Sequence, residues 1–176
     1  GDGAATAWTR NGKDWSDKFR SLVRAAAKLP PGCLIDGEAV ALDDKGKPSF
    51  QLLQSTLKEQ KGANLAFYAF DLLIDRGEDI RKLPNVERKA RLASLLGDGL
   101  PPFILYAEHI LGAGEKLFDA MCEAGQEGII SKKADAPYRG ARTKSWLKIK
   151  CTLRQEFVIV GWTSSDKKAR AFRALL

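Results

Sequence analysis

Apolar residues Phe19, Leu22, Val23 and Ala26 recur at helical spacing. They predict a helix that Asp14 caps and that runs to about Lys28, where Pro30, Pro31 and Gly32 end it. Ahead of it, residues 4–8 read as a short strand leaving a turn at Gly1-Asp2-Gly3. An Asp-Gly turn normally joins two strands, so a preceding strand is expected that these 176 residues do not contain. Residues 33–42 form the next strand pattern, closed by a turn at 43–46. Ser49 then stands where a cap belongs for a short helix from Phe50 to about Leu57. Residues 65–74 are nearly all apolar or aromatic, the pattern of a buried strand.

The second half continues in the same mixed way. Asn85 is placed to cap a helix that ends at Leu96 and Gly97, and Pro101 and Pro102 precede a strand at 103–107. Gly112 and Gly114 open a helix from Glu115 to about Ala124. Strands follow at 128–132, 146–151 and 156–162. Helices and strands do not alternate strictly and no internal repeat is present, which defines an α+β chain. Beyond Ile159 there is one strand and a basic tail, too little for a core of its own. It reads as the opening of a second domain.

Within 146–151, Leu147, Ile149 and Cys151 share one strand face, while Trp146, Lys148 and Lys150 share the other. Two ammonium groups then project together, roughly 6–7 Å apart. The same alternation suits an edge strand that carries lysines against aggregation. Charge sharpens the picture. Between Ser131 and Arg154 lie eight cations and one anion, Asp135, and that surplus equals the net charge of +7 of the whole chain. Such clustering is a footprint for phosphate, although a solvated basic face would count alike.

No apolar run approaches the ~20 residues that span a bilayer, and the first residues do not resemble a signal peptide. The three cysteines, Cys33, Cys122 and Cys151, are far apart and show no Cys-x-x-Cys spacing. They are expected to be reduced core residues in a reducing compartment, without a disulfide or zinc site. Walker-type and Gly-x-Gly-x-x-Gly motifs are absent. His109 has no legible nucleophilic partner and reads as structural or exposed.

Three carboxylates, Glu38, Asp71 and Glu127, lie on or beside strands, where a charge needs a cleft, a cation or a metal. Asp36 shares a strand face with Glu38, and Gly37 between them permits a close approach. Hard oxygen ligands suit magnesium or manganese, which clamp phosphoryl groups. Each carboxylate alone also suits a salt bridge. Together with the lysine strand they suggest a nucleotide site. Phe67 and Phe70 fall on opposite strand faces, so one can pack in the core while the other offers a ring to a base.

The order of Thr9-Arg-Asn-Gly12, Asp36-Gly-Glu38, Tyr68-Ala-Phe-Asp-Leu-Leu73, Glu127-Gly-Ile-Ile-Ser-Lys132 and Trp146-Leu-Lys-Ile-Lys150 resembles the successive motifs of covalent nucleotidyltransferases. More narrowly, the chain is similar to ATP-dependent DNA ligases. The phrases Arg10-Asn-Gly-Lys-Asp-Trp15, Pro48-Ser-Phe-Gln-Leu-Leu-Gln54 and Glu156-Phe-Val-Ile-Val-Gly161 resemble the bacterial end-joining ligase D type. Each motif is short, and their ordered set is specific.

The resemblance implies an adenylation domain of antiparallel sheets with flanking helices at residues 1–151, and the start of a truncated OB-fold domain at 152–176. It implies that Arg10, Glu38, Phe70, Glu127, Lys132, Lys148 and Lys150 bind the nucleotide, Phe70 by stacking on adenine. Glu38 and Glu127 would hold Mg²⁺ or Mn²⁺, and Arg10, Arg142 and Lys144 would meet DNA phosphate. In the family reaction a lysine attacks ATP, and the AMP then passes to a DNA 5′-phosphate. A 3′-hydroxyl finally displaces it. An amine nucleophile of this kind must lose its proton near neutrality, which neighbouring cations promote.

That nucleophile belongs to a Lys-x-Asp-Gly motif, and these residues contain none. The expectation is a ligase fragment that cannot charge itself with AMP. Its partners would be nicked or broken double-stranded DNA, a DNA-end-binding protein and fused polymerase or nuclease domains, in a bacterial, nucleoid-associated cytoplasmic setting without a membrane. An RNA ligase or capping enzyme shares the motif skeleton, and a non-catalytic basic module would share the charge.

Overall fold

An eleven-residue strand, β2 (Leu65–Asp75), carries pairing partners on both edges. The computed structural model describes residues 4–59, 65–97, 103–141, 143–151, 160–164 and 172–175. On one edge of β2 runs β1 (Leu34–Ala41), antiparallel along its whole length. On the other lie β3 (Glu78–Asp79), antiparallel, and β4 (Ile104–Tyr106), the one parallel partner among the described strands. The register of β1 on β2 shifts between Asp36 and Gly37: Gly37 faces Ala69, whereas Asp36 faces Asp71. Phe70 is therefore left without a partner on β1, as in a β-bulge.

Helices cover this sheet in two places. The stripe of α3 (Asn85–Leu96) buries Leu92, Leu95 and Leu96 against Ala69, Leu72, Ile80 and Ile104. From α1 (Arg20–Ala26), Leu22 joins Ala41 and Leu65 in a second cluster, and Leu52 and Leu53 of α2 (Phe50–Glu59) pack on it. Phe67 touches both clusters. Its ring lies against Gly37, where any Cβ would collide with Phe67 Cζ, so the glycine makes room for a neighbouring strand's side chain.

The remaining elements form smaller units. Strands β5 (Gly128–Lys132) and β6 (Trp146–Lys150) make an antiparallel pair, and α4 (Gly114–Glu123) packs on β5. Gly128 sits at φ +143°, and a Cβ there would meet the Ile149 carbonyl. Strands β7 (Trp162–Ser164) and β8 (Phe172–Leu175) form a second antiparallel pair. Among the described residues no helix is long and apolar enough to cross a membrane.

Several expectations change. Residues 4–8 do not form a strand: Trp8 meets Asp14 through an isolated bridge and is 61% exposed. The first helix is shorter than expected, because Asp14 turns the chain by accepting the Ser16 N–H and residues 16–19 are turns. Asn85 does not cap α3; Pro84 holds that position, and Asn85 instead lies buried and donates to Asp71. Ser49 does cap α2, accepting from the Leu52 N–H at 3.3 Å. Most of the expected strand at 156–162 lies outside the described residues.

The cysteines differ most from expectation. Cys122 and Cys151 are joined in a disulfide, and Cys33 is free and half-buried. The 29 residues separating the pair hide this in sequence. Folding α4 back onto β5 brings its last turn to the end of β6.

Candidate functional site

In β5 and β6 the directly opposed pairs are Lys132 with Trp146, Ile130 with Lys148, and Gly128 with Lys150. Opposed residues share a face in an antiparallel ladder. One face of this hairpin therefore presents Lys132, Ile130, Lys148 and Lys150 together. Ser131, Ile129, Leu147 and Ile149 occupy the other. Leu147 and Ile149 remain 52% and 40% exposed, because α4 buries none of its own residues and covers that face thinly.

At the outer end, Glu127 receives Lys148 Nζ at 2.9 Å and Lys150 Nζ at 3.3 Å on one carboxylate oxygen. Hydrogen bonds from the two lysines hold its carboxyl below the usual carboxylate range. The three residues were expected to hold a metal ion and phosphate and instead pair with one another; the pairs lie in solvent, where each contributes little to stability.

At the inner end, Lys132 sits between two rings. Its Nζ lies 3.8 Å from the Trp146 ring centre and 4.3 Å from that of Phe70. Burial lowers its ammonium to about 8. Phe70 and Trp146 meet edge-on at 6.1 Å, and Tyr138 meets Trp146 at 5.8 Å. The bulge at Phe70 aims this ring at β6, while Phe67 enters the core.

Behind the rings lies a charged network. The Tyr138 hydroxyl donates to Asp36 Oδ2 at 3.0 Å. Burial raises Asp36 against that bond, and burial with the Asp36 charge pushes Tyr138 up to about 12. Asp71 is fully buried and bonded twice by Arg88, through Nε and Nη2, each at 2.8 Å. Arg88 Nη1 also donates to Leu83 O at 2.6 Å and Ala136 O at 3.1 Å. The segment linking β5 to β6 is thus fastened to β2 and α3.

Arg10 and Glu38 lie elsewhere. Both are exposed and line a cavity of about 700 Å³ bounded by Trp8, Trp15, Phe19 and the outer side of β1. Phe70, Glu127, Lys132, Lys148 and Lys150 do not line it. The Arg10 charge still reaches Tyr138, lowering its hydroxyl against the larger upward pushes. Lys144 is exposed, and Arg142 lies outside the described residues. His109 is exposed, with its ring nitrogen 3.4 Å from the Tyr106 hydroxyl.

Sequence reasoning missed Tyr138, Ile130 and the Arg88 clasp. A signal for Arg88 existed. It stands four residues before Leu92 on the apolar stripe of α3, where a charge requires a buried partner.

A bulged sheet strand offering a ring, beside a hairpin of lysines, is an arrangement suited to a nucleotide's base and phosphates. A family model for the ATP dependent DNA ligase domain matches residues 1–150, and the chain belongs to that family. It is 39% identical over 176 residues to the multifunctional non-homologous end joining protein LigD of Pseudomonas aeruginosa, covering 99% of this chain and 21% of that protein. It is 32% identical to the DNA ligase-like protein LigB of Bacillus subtilis, covering 92% of this chain and 59% of LigB.

Among solved structures, mycobacterial DNA ligase D complexed with ATP superposes with a TM-score of 0.71 at 31% identity, covering 92% of this chain and 52% of that one. The ligase domain of Mycobacterium tuberculosis LigD gives 0.68 at 31% identity, covering 85% of this chain and 48% of that one. The chain thus spans between a fifth and about three-fifths of these relatives. The fold is the expected mixture of helices and mainly antiparallel sheet, and the RNA-ligase and capping alternatives give way to the DNA ligase family.

Proposed function

We propose that this chain is the nucleotide-handling part of a LigD-type, ATP-dependent DNA ligase that serves end joining. The observation that carries the reading is the shared face of β5 and β6, which presents three lysines and an apolar side chain and whose inner lysine, Lys132, lies against the bulged Phe70 ring. Phe70 stacks on the adenine, and Ile130, 53% exposed, supplies further apolar surface. Lys148 and Lys150 turn from Glu127 to the phosphates. Lys132 adds a cation at the inner end. Fixed ammonium groups of this kind stabilise charge that develops as phosphate is transferred.

A divalent ion would enter with the nucleotide. Among the described residues no three His, Cys, Asp or Glu side chains converge into a cage. Mg²⁺, however, is often held by one or two carboxylates together with substrate phosphates. Exposed Glu38 or, once its lysines turn away, Glu127 would take that part; Mn²⁺ suits the same donors. The ion would neutralise phosphate charge.

Arg10, Lys144 and Arg142 meet the phosphates of nicked or broken DNA, which makes binding steeply salt-dependent. Residues 1–151 are the adenylation unit, and 152–176 open an OB-fold. In the whole protein this unit works in the bacterial cytoplasm beside polymerase or nuclease domains and a DNA-end-binding partner.

With no Lys-x-Asp-Gly among its residues, the chain binds ATP without charging itself. Calorimetric titration with ATP and Mg²⁺, followed by incubation with labelled ATP, tests both parts. Saturable binding without a covalent label is expected. Failure to bind would overturn the nucleotide reading, and a stable protein–AMP adduct would overturn the missing nucleophile.

A further inference from the structure

The Cys122–Cys151 bond stands immediately behind the lysine strand. Cys151 follows Lys150 directly, and its N–H donates to the Glu127 carbonyl at 2.9 Å. Glu127 in turn lies five residues beyond Cys122, past a turn in which the Gln126 N–H donates to Met121 O at 2.9 Å and the Gly125 N–H to Cys122 O at 3.0 Å. Chain, hydrogen bond and disulfide close a small ring. One member of that ring, Glu127, holds both Lys148 and Lys150.

Few other contacts secure this corner. Helix α4, which carries Cys122, buries none of its ten residues and packs chiefly on β5. Both cysteines are half-buried, neither sealed in a core. With the bond intact, the last turn of α4 cannot move away from the end of β6. Once the bond is cut, the Glu127 turn is held only by its backbone hydrogen bonds and its pairs with Lys148 and Lys150, and the end of β6 loses its covalent tie to α4.

We infer that Cys122–Cys151 is a reversible thiol–disulfide site that sets how firmly the lysine strand holds a nucleotide's phosphates. The oxidised chain is the tight-binding form and the reduced chain the loose one. The reductant is a dithiol. One of its thiolates attacks a cystine sulfur and the S–S bond breaks; its second thiol then releases the mixed disulfide. Two electrons and two protons pass to Cys122 and Cys151, and the dithiol leaves as a disulfide. The functional consequence rests on the nucleotide reading above, whereas the bond does not.

Thiol counting on the denatured chain, before and after reduction, tests the bond. One free thiol, that of Cys33, is expected without reductant and three after it. Titration with ATP and Mg²⁺ then tests the consequence: the oxidised chain should bind roughly five-fold or more tightly than the reduced one, the scale of a modest coupling between sites. Cys33→Ser should keep the whole difference. Cys122→Ser/Cys151→Ser should bind like the reduced chain whether or not reductant is present, and wild type alone decides the matter if that variant fails to fold. Three thiols without reductant would overturn the site, and equal affinities in the two states would overturn its control of binding. Absence of binding in both states would overturn the nucleotide reading and, with it, the functional half of the inference.

Discussion

Arg88 grips Asp71 through two hydrogen bonds of 2.8 Å, and neither side chain is exposed at all. A third arm of the same guanidinium reaches Leu83 O and Ala136 O, so the pair joins β2, α3 and the chain between β5 and β6. Arg88→Met strands a buried carboxylate and should cost about 3–5 kcal/mol in urea unfolding. Adding Asp71→Leu removes the orphaned charge and should recover most of that loss. A double variant no more stable than the single one would show that the pair adds net stability.

Lys132 carries a pH signature. Its ammonium is lowered from 10.5 to about 8, chiefly by burial. Below about 8 it is charged both folded and unfolded, and its burial opposes folding. Between about 8 and 10.5 the folded chain gives up the proton first, so stability rises with pH. Relative to Lys132→Met, the wild type should gain about 1–2 kcal/mol between pH 7 and 10.5, a figure reduced for partial exposure. Paired urea curves at the two pH values measure it; parallel behaviour would contradict it.

Two glycines are fixed by their neighbours. Gly128→Ala places a methyl on the Ile149 carbonyl at a φ that side chains avoid. It should cost about 2 kcal/mol or more and disorder the β5–β6 hairpin, read from amide exchange. Gly37→Ala strikes the Phe67 ring instead, for about 1–3 kcal/mol of overpacking. Phe67→Leu should recover only the ring's share of the second variant's cost, since the new methyl would still lie 2.6 Å from the Tyr68 carbonyl, and should leave the first unrepaired.

Much of the fold was legible because long apolar or periodic segments leave few choices. Residues 65–74 and the helix ending at Leu96 are found where the pattern put them, and Ser49 caps as expected. The misses are long-range. Asp14 and Asn85 both looked like caps, but one serves a turn and the other lies against Asp71, which only the packed structure brings near. Cys122 and Cys151 meet because a helix folds back on a strand, an event without a local signature. The lysine face was readable from alternation. The Tyr138–Asp36 bond spans 102 positions and was not.

For ATP binding, Lys148→Ala and Lys150→Ala should each weaken affinity about ten- to a hundred-fold, the scale of one charge-assisted hydrogen bond. Stability should move by no more than about 0.5 kcal/mol, since both side chains lie in solvent. Phe70→Ala should weaken binding by a similar factor through lost stacking. Variants that unfold the chain and lower affinity in parallel would assign these residues to structure instead.

The unpaired position in β2 has a consequence for the length of that strand. Phe70 and Asp71 are adjacent yet serve opposite sides, one ring turned outward to Trp146 and one carboxylate sealed inside with Arg88. Removing a single residue just ahead of Phe70 would slide the rest of β2 by one step and exchange the two sides. The phenyl group would point inward and the carboxylate into solvent. This stretch can therefore tolerate changes of side chain far more readily than any change in the number of residues.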